Sequence, residues 1–329
     1  MPKPGAHNLI TDIAGLTVGN ATDEKVKTGV TVLRCREQFV AAVDVRGGAP
    51  GVRETDTLAP ENLVGRVDAI VLTGGSVFGL GAADGVANAL SQSDVGLKIS
   101  EAGPAIPIVP AAVLYDLGND GDKDWGAKPP YNRLGEQALA AAAQTFALGS
   151  TGAGRGAMAG TVKGGLGSAS MVLDDGAIVG ALVAANPVGS VFMPDGKTFY
   201  AWPWEQDGEF GAQPPPVERD SAGPIPLFSR LAQNTKPGAN TTIAIVATSA
   251  ALTGVEAKRI AMMAHDGIAR AVRPAHTPLD GDIVFAISTG AHPLPADASR
   301  PMHIAAIGSA AADCLARATA RAVYEAAQR

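Results

Sequence analysis

The stretch Gly238-Ala239-Asn240-Thr241-Thr242-Ile243-Ala244-Ile245-Val246-Ala247 joins a proline-rich loop to an apolar strand. Upstream, Pro214-Pro215-Pro216, Pro224, Pro226 and Pro237 remove amide donors and fix φ, so regular structure is not expected there. Downstream, the short run Ile243 to Ala247 has the character of a strand buried on both faces. A threonine at the head of such a strand, directly behind Asn240, reads as a point at which the chain cuts itself. The cut exposes Thr241 as a new N-terminus that carries nucleophile and base in one residue. A threonine hydroxyl is a weak nucleophile until a base takes its proton, and a free α-amino group, with a pKa of about 7.7–8.0, can serve as that base. Two plainer readings stand beside this one. Asn240-Thr241-Thr242 also fits the N-x-[ST] glycosylation pattern, and an Asn-Thr pair commonly just opens a strand.

Composition narrows the field. The 329 residues are 46% hydrophobic and 18% charged, as expected of a soluble globular protein with a sizeable core. Forty glycines with only 5% aromatic residues imply tight turns and close backbone packing. The net charge of −6 comes without a basic run, which argues against nucleic acid as a partner. The start Met1-Pro2-Lys3-Pro4-Gly5 lacks the pattern of a secretory signal, and no apolar run is long enough to span a membrane. Cys35 and Cys314 lie far apart, outside any CxxC pair, and read as buried thiols in a reducing, cytoplasmic compartment. That compartment weakens the glycosylation reading of Asn240.

Outward from the junction, the chain alternates helical and strand-like segments. Strands are expected at Val30–Leu33, Phe39–Val45, Ala69–Leu72, Ser168–Leu173, Ile178–Val183, from Thr241, and at Asp282–Ser288, and Val109–Tyr115 reads as a further strand or a turn into a loop. Asp174-Asp175-Gly176 marks a hairpin. Helices are expected at Val77–Leu90, Leu134–Gln144, after the capping box Thr253-x-x-Glu256, and at Ile304–Ala327. Mixed strands flanked by helices predict a layered α/β sandwich with helices on both outer faces.

The glycine loops do not carry nucleotide signatures. Thr73-Gly74-Gly75-Ser76-Val77-Phe78-Gly79 lacks the Lys-Ser/Thr of a phosphate loop, and Phe78 stands where a nucleophile elbow around Ser76 needs glycine. In Gly152-Ala153-Gly154-Arg155-Gly156 the third glycine comes one position too early for GxGxxG. His7, His265, His276, His292 and His303 show no metal-binding spacing, and no cofactor or metal is expected. The backbone donors of Gly74, Gly75 and Ser76 are nevertheless candidates for a carboxylate site or an oxyanion hole, with a tight strand-to-helix turn as the alternative.

Several of these segments together form a pattern. Leu72-Thr73-Gly74-Gly75-Ser76-Val77-Phe78-Gly79-Leu80, Ala82-Ala83-Asp84-Gly85-Val86, Arg46-Gly47-Gly48-Ala49-Pro50-Gly51, Pro110 to Asp116 and Lys163-Gly164-Gly165-Leu166-Gly167-Ser168 resemble signatures of the L-aminopeptidase/D-esterase family. These are N-terminal-nucleophile-type hydrolases that include β-peptidyl aminopeptidases and nylon-oligomer amide hydrolases. The match runs from about Asn8 into the C-terminal helix.

The resemblance implies a four-layer αββα sandwich formed by one domain, 1–329, cut into a large chain 1–240 and a small chain 241–329 that stay together. It implies Thr241 as nucleophile, Asn186 as a donor to the oxyanion, and Tyr115 and Lys163 as residues lining the site. Asp280 and Asp282 would form a pair orienting the nucleophile and its amine. It also implies a homo-oligomer, a tetramer of cleaved heterodimers. The best-known aminopeptidase branch uses serine with a Ser-x-Glu pair, so Thr241 with Asp280-Gly281-Asp282 is similar to the nylon-oligomer branch instead. The implied activity is hydrolysis of small peptide-like amides or esters, with substrate and mode of attack left open. Acyl transfer of the ornithine acetyltransferase kind and a non-catalytic anion-binding role remain the alternatives.

Overall fold

The computed structural model describes residues 2–100, 102–216, 223–233 and 240–328. Pro237, Gly238 and Ala239 of the junction, and Met1, therefore lie outside the described residues. Eleven strands and four α-helices follow in chain order among those described: β1 Leu16–Asp23, β2 Thr28–Val45, β3 Val52–Arg53, β4 Arg66–Thr73, α1 Ala82–Gln92, β5 Ala111–Val113, α2 Tyr131–Ala140, β6 Met158–Ala159, β7 Val162–Lys163, β8 Gly165–Val172, β9 Ile178–Asn186, β10 Thr241–Ala250, α3 Gly254–Ala271, β11 Ile283–His292 and α4 Arg300–Ala327.

The four layers are present, but the two sheets are not separate. Hydrogen bonding runs without a break along β3-β5-β4-β2-β11-β10-β9-β8, with β1 also on β2. The hinge is β2, which the sequence suggested was two strands. Its first half pairs with β1 and β4, and Val40 to Val45 pair with β11. The polar segment between, Arg34 to Gln38, stays extended because Arg34 and Cys35 still pair with β1, and its pairing to β4 is irregular there. The single strand thus serves both layers.

Alternation in the strands sorts the core. On β10, which is buried along its whole length, Ile243 and Ile245 join Leu33, Leu72, Leu182 and Phe285 between the sheets. Ala244 and Val246 face the other way, into a cluster with Ile260 and Ile268 of α3 and Leu315 of α4. On the far side, Val30, Val32 and Val71 pack against Val86 of α1 and Leu134 of α2. This period-two pattern on a strand covered on both faces produces the αββα order. α3 begins at the expected capping box, with the Glu256 N–H donating to Thr253 Oγ1 and the Thr253 N–H donating to the Glu256 carboxylate. α4 is fastened by a fully buried Arg317, which donates to Glu209, Asn8 and the Ser170 carbonyl.

Cys35 and Cys314 are free and buried, and burial pushes both thiols up, Cys314 to about 12. Among the described residues no helix is long and apolar enough to cross a membrane.

Candidate active site

The register of three central strands gathers residues that are far apart in sequence. In the antiparallel pair β9–β10, Thr241 lies opposite Asn186. In the parallel pair β10–β11, Ile243 lies beside Ile283, and just before the strands Asn240 bridges to Asp280. Asn186, Asn240, Thr241, Asp280 and Asp282 are therefore neighbours at one end of the sheet. All are at most 4% exposed.

The Asp280-Gly281-Asp282 turn grips the junction at two points and is itself tied down through Asp280. The Gly281 N–H donates to the carbonyl oxygen of Asn240 at 3.0 Å. The Thr242 N–H donates to Asp282 Oδ1 at 2.8 Å. Asp280 accepts from the Val188 N–H at 3.1 Å through Oδ1, and from Thr277 Oγ1 at 2.7 Å through Oδ2. The Thr241 hydroxyl donates to the same Asn240 carbonyl oxygen. The bond between Asn240 and Thr241 thus has its oxygen held by a backbone donor and a hydroxyl beside its carbon. Only glycine fits at 281, since a Cβ there falls 2.8 Å from Thr241 Oγ1 and 2.6 Å from the Ala49 carbonyl oxygen. The Arg46 to Gly51 loop folds over this turn, with the Arg46 and Gly47 N–H groups on the Asp282 carbonyl and the Ala49 N–H on the Asp280 carbonyl. That contact gives the glycine-rich motif a physical purpose.

Burial first, and then the charge of Asp282, push the Asp280 carboxyl above its ordinary range. The side-chain amide of Asn240 is buried, with neither Nδ2 nor Oδ1 meeting a partner among the described residues. Burying a polar group in this way costs about 1–3 kcal/mol.

Asn186 is oriented by two donors. Its Oδ1 receives the Met158 N–H at 2.9 Å and a guanidinium N–H of Arg230 at 3.4 Å. Its Nδ2 consequently faces the other way, donating to the Tyr115 carbonyl oxygen at 3.4 Å. Arg230 also donates to the carbonyls of Met158, Asn186 and Pro187, and burial pushes it down to about 10 against the pull of nearby Asp280. Sequence reading missed Arg230 because it lies in the proline-rich segment, where no motif marks it.

The structure brings together Thr241, Asn186, Asp280 and Asp282, but treats the other candidates differently. Tyr115 reaches Asn186 through its backbone carbonyl. Lys163 stands opposite Met158 in the β6–β7 pair, exposed at the rim of a 350 Å³ cleft that it shares with Lys27 and Arg155. It is thus one residue pair away from Asn186. The Gly74–Ser76 loop corrects an expectation: its donors are already spent. The Gly74, Gly75 and Ser76 N–H groups donate to the Gly29 carbonyl, Asp116 Oδ1 and the Leu114 carbonyl. It is the tight strand-to-helix turn of the two readings, with Asp116 as its built-in acceptor. By holding Asp116, the turn fixes the neighbouring Tyr115.

Comparison with known proteins identifies the family. The family model "Peptidase family S58" matches residues 8–329. An uncharacterized aminopeptidase of Mycobacterium tuberculosis is 44% identical over 340 residues, covering 97% of this chain and 94% of that protein. A 6-aminohexanoate-oligomer endohydrolase of a Kocuria species is 33% identical over 301 residues, covering 88% of this chain and 78% of that one. Among solved structures, a Burkholderia β-aminopeptidase superposes with a TM-score of 0.69 at 25% identity, over 98% of this chain and 88% of that one. The chain therefore belongs to peptidase family S58, and with it to the hydrolases of carbon–nitrogen bonds.

Proposed function

We propose that the protein is a self-processing amide hydrolase whose nucleophile is Thr241. The observation that carries this reading is the Asn240 carbonyl, its oxygen on the Gly281 N–H at 3.0 Å and the Thr241 hydroxyl beside it. In maturation, Thr241 Oγ attacks the Asn240 carbonyl carbon and loses its proton. The oxygen that becomes negative stays on the Gly281 N–H, the C–N bond breaks, and the Thr241 amine leaves protonated. Water then hydrolyses the ester, releasing the Asn240 carboxylate and a free Thr241 hydroxyl. In turnover, the Thr241 amine takes the proton of its own hydroxyl and passes it to the substrate nitrogen as the C–N bond breaks. The amine product leaves an acyl-enzyme, and water then releases the acyl group as a carboxylic acid and restores the hydroxyl. Asn186 Nδ2 is the side-chain donor beside Thr241 suited to the oxyanion, and Lys163 supplies positive charge at the rim. Asp280 and Asp282 tune the amine.

The names of the relatives, aminopeptidase and 6-aminohexanoate-oligomer endohydrolase, favour small peptide-like amides as substrates. No cofactor enters the chemistry. The free, buried thiols fit a cytoplasmic protein, and the family favours an oligomer of cleaved pairs, without nucleic acid or membrane as partner. An anion-binding role loses its basis, since the Gly74–Ser76 donors are occupied.

Intact mass after expression tests the proposal. Two fragments meeting at Asn240/Thr241 are expected for the native protein, and a single chain for Thr241→Ala, which also abolishes release of p-nitroaniline from aminoacyl anilides. A folded native chain that stays whole overturns the mechanism. An added amine that captures the acyl group faster than water does would reassign the enzyme as a transferase.

A further inference from the structure

Two of the five histidines meet behind the aspartate pair. His276 sits in the left-handed region, at φ 55°, which turns both its backbone N–H and its ring Nδ1 onto Asp282 Oδ2, at 3.1 and 2.8 Å. The other oxygen of Asp282 takes the Thr242 N–H, one residue past the nucleophile. A carboxylate 1% exposed, receiving three donors, is held as an acceptor. Behind His276, the ring of His265 on α3 stands edge-on with centroids 4.9 Å apart. His265 Nε2 lies 3.0 Å from the Asp44 carbonyl oxygen, which assigns its proton to that nitrogen. Burial pushes His265 down to about 4, so it is a neutral spacer at pH 7.

We propose that His276 is a positioning residue for the site, holding the Asp282 carboxylate in place and so fixing the head of β10 beside Thr241. The proposal rests on the Thr241 mechanism and adds a residue to it. The other charged groups nearby are engaged elsewhere and leave this contact to His276. Asp280, on the same turn, faces Arg230 and carries the raised affinity for a proton. Beyond His265, Asp44 of β2 is neutralised by Lys258 of α3 at 2.6 Å and Arg46 at 3.2 Å, and Asp266 of α3 lies 3.9 Å from Arg46. Of the two histidines, the Asp44 carboxylate approaches His265, at 3.6 Å. The His276 ring is therefore the one side-chain donor that an element of the described residues supplies to Asp282. Without it, the pair takes up a proton at higher pH, Asp282 releases Thr242, and the nucleophile loses its anchor on the β11 side.

The pH profile of the matured enzyme tests this with three variants. Asn at 276 tolerates the left-handed backbone and places an amide N–H near the position of Nδ1. His276→Asn is expected to keep activity within about threefold and the acid limb in place. His276→Ala is expected to move the acid limb up by about one pH unit, a roughly tenfold loss on the acid side, with KM little changed. His276→Gln, whose donor sits one bond further out, should behave like the alanine variant. An unshifted acid limb in His276→Ala, or an asparagine variant as impaired as the alanine one, overturns the proposal. Nitrogen-15 NMR of the imidazoles in uncut Thr241→Ala protein needs neither cleavage nor turnover, so it separates this proposal from the mechanism it rests on. A proton on Nδ1 of His276 whose signal moves in Asp282→Asn is expected; a bare Nδ1 overturns the assignment.

Discussion

Two glycine turns in this protein look alike and do opposite work. Thr73-Gly74-Gly75-Ser76 and Asp280-Gly281-Asp282 each place a glycine where no side chain fits, next to a buried aspartate. At the first, a Cβ on Gly75 falls 2.1 Å from the Tyr131 ring, and the Gly75 N–H donates to Asp116 at 2.7 Å. At the second, the Gly281 N–H donates to a peptide carbonyl with a hydroxyl beside it. The difference is the acceptor. A carboxylate already satisfies the donor it meets, whereas a carbonyl under attack gains charge and needs the donor more as reaction proceeds. One turn is a strut, the other a candidate oxyanion site.

Substitution separates them. Gly281→Ala pushes a methyl against Thr241 Oγ1 and displaces the donor, so maturation followed by mass spectrometry is expected to slow at least about 100-fold in a protein that still folds. Rapid cutting in that variant breaks the comparison. Gly75→Ala combines a left-handed φ of 85° with the collision on Tyr131, and is expected to cost about 3 kcal/mol or more in a denaturant titration. Protein that survives should still be cut.

The smallest effect concerns the two aspartates. Burial raises Asp116, whereas the charge of Asp282 adds to burial in raising Asp280. A raised carboxyl binds protons more readily in the folded protein, so its contribution to stability is largest at low pH and fades as pH rises through the folded value. Asp280→Asn removes a like charge beside Asp282, and the acid limb of turnover is expected to move down by up to about one unit. Asp116→Asn should leave that limb in place while lowering the melting temperature. Equal behaviour of the two would erase the distinction.

What the residues alone made legible follows from locality. The β10 run, the Asp-Gly hairpin and the capping box of α3 each declare themselves within a few residues, and each formed as expected. The strand β1 did not, because Leu16-Thr17-Val18-Gly19-Asn20-Ala21-Thr22-Asp23 mixes turn formers with β-branched residues, and only its pairing along β2 makes it a strand. α2 begins at Tyr131, not Leu134, since Pro130 supplies a preset φ just ahead of it. In the site, Thr241 and the Asp-Gly-Asp turn were marked by sequence, but the facing of Asn186 and Thr241 is a matter of register between strands more than fifty residues apart. Arg230 and His276 went unread for a related reason. A histidine judged by metal spacing says nothing of a partner six residues on that only a left-handed turn brings into reach.

The position of β10 and β11 between β9 and β2 has a consequence for how the molecule comes into being. Before a cut at Asn240, seating β10 is a closure within one chain, at an effective concentration that can reach the order of millimolar. After it, the same seating is an encounter between two molecules at whatever concentration they share. Folding would change from first order to second order at a single bond. Under the proposed cleavage, the grip on Asn240 would guard against a premature change, because Gly281 meets the Asn240 carbonyl where the β10–β11 register already stands. On this reading, assembly sets the clock for the cut, and a matured molecule that unfolds has lost the tether that built it.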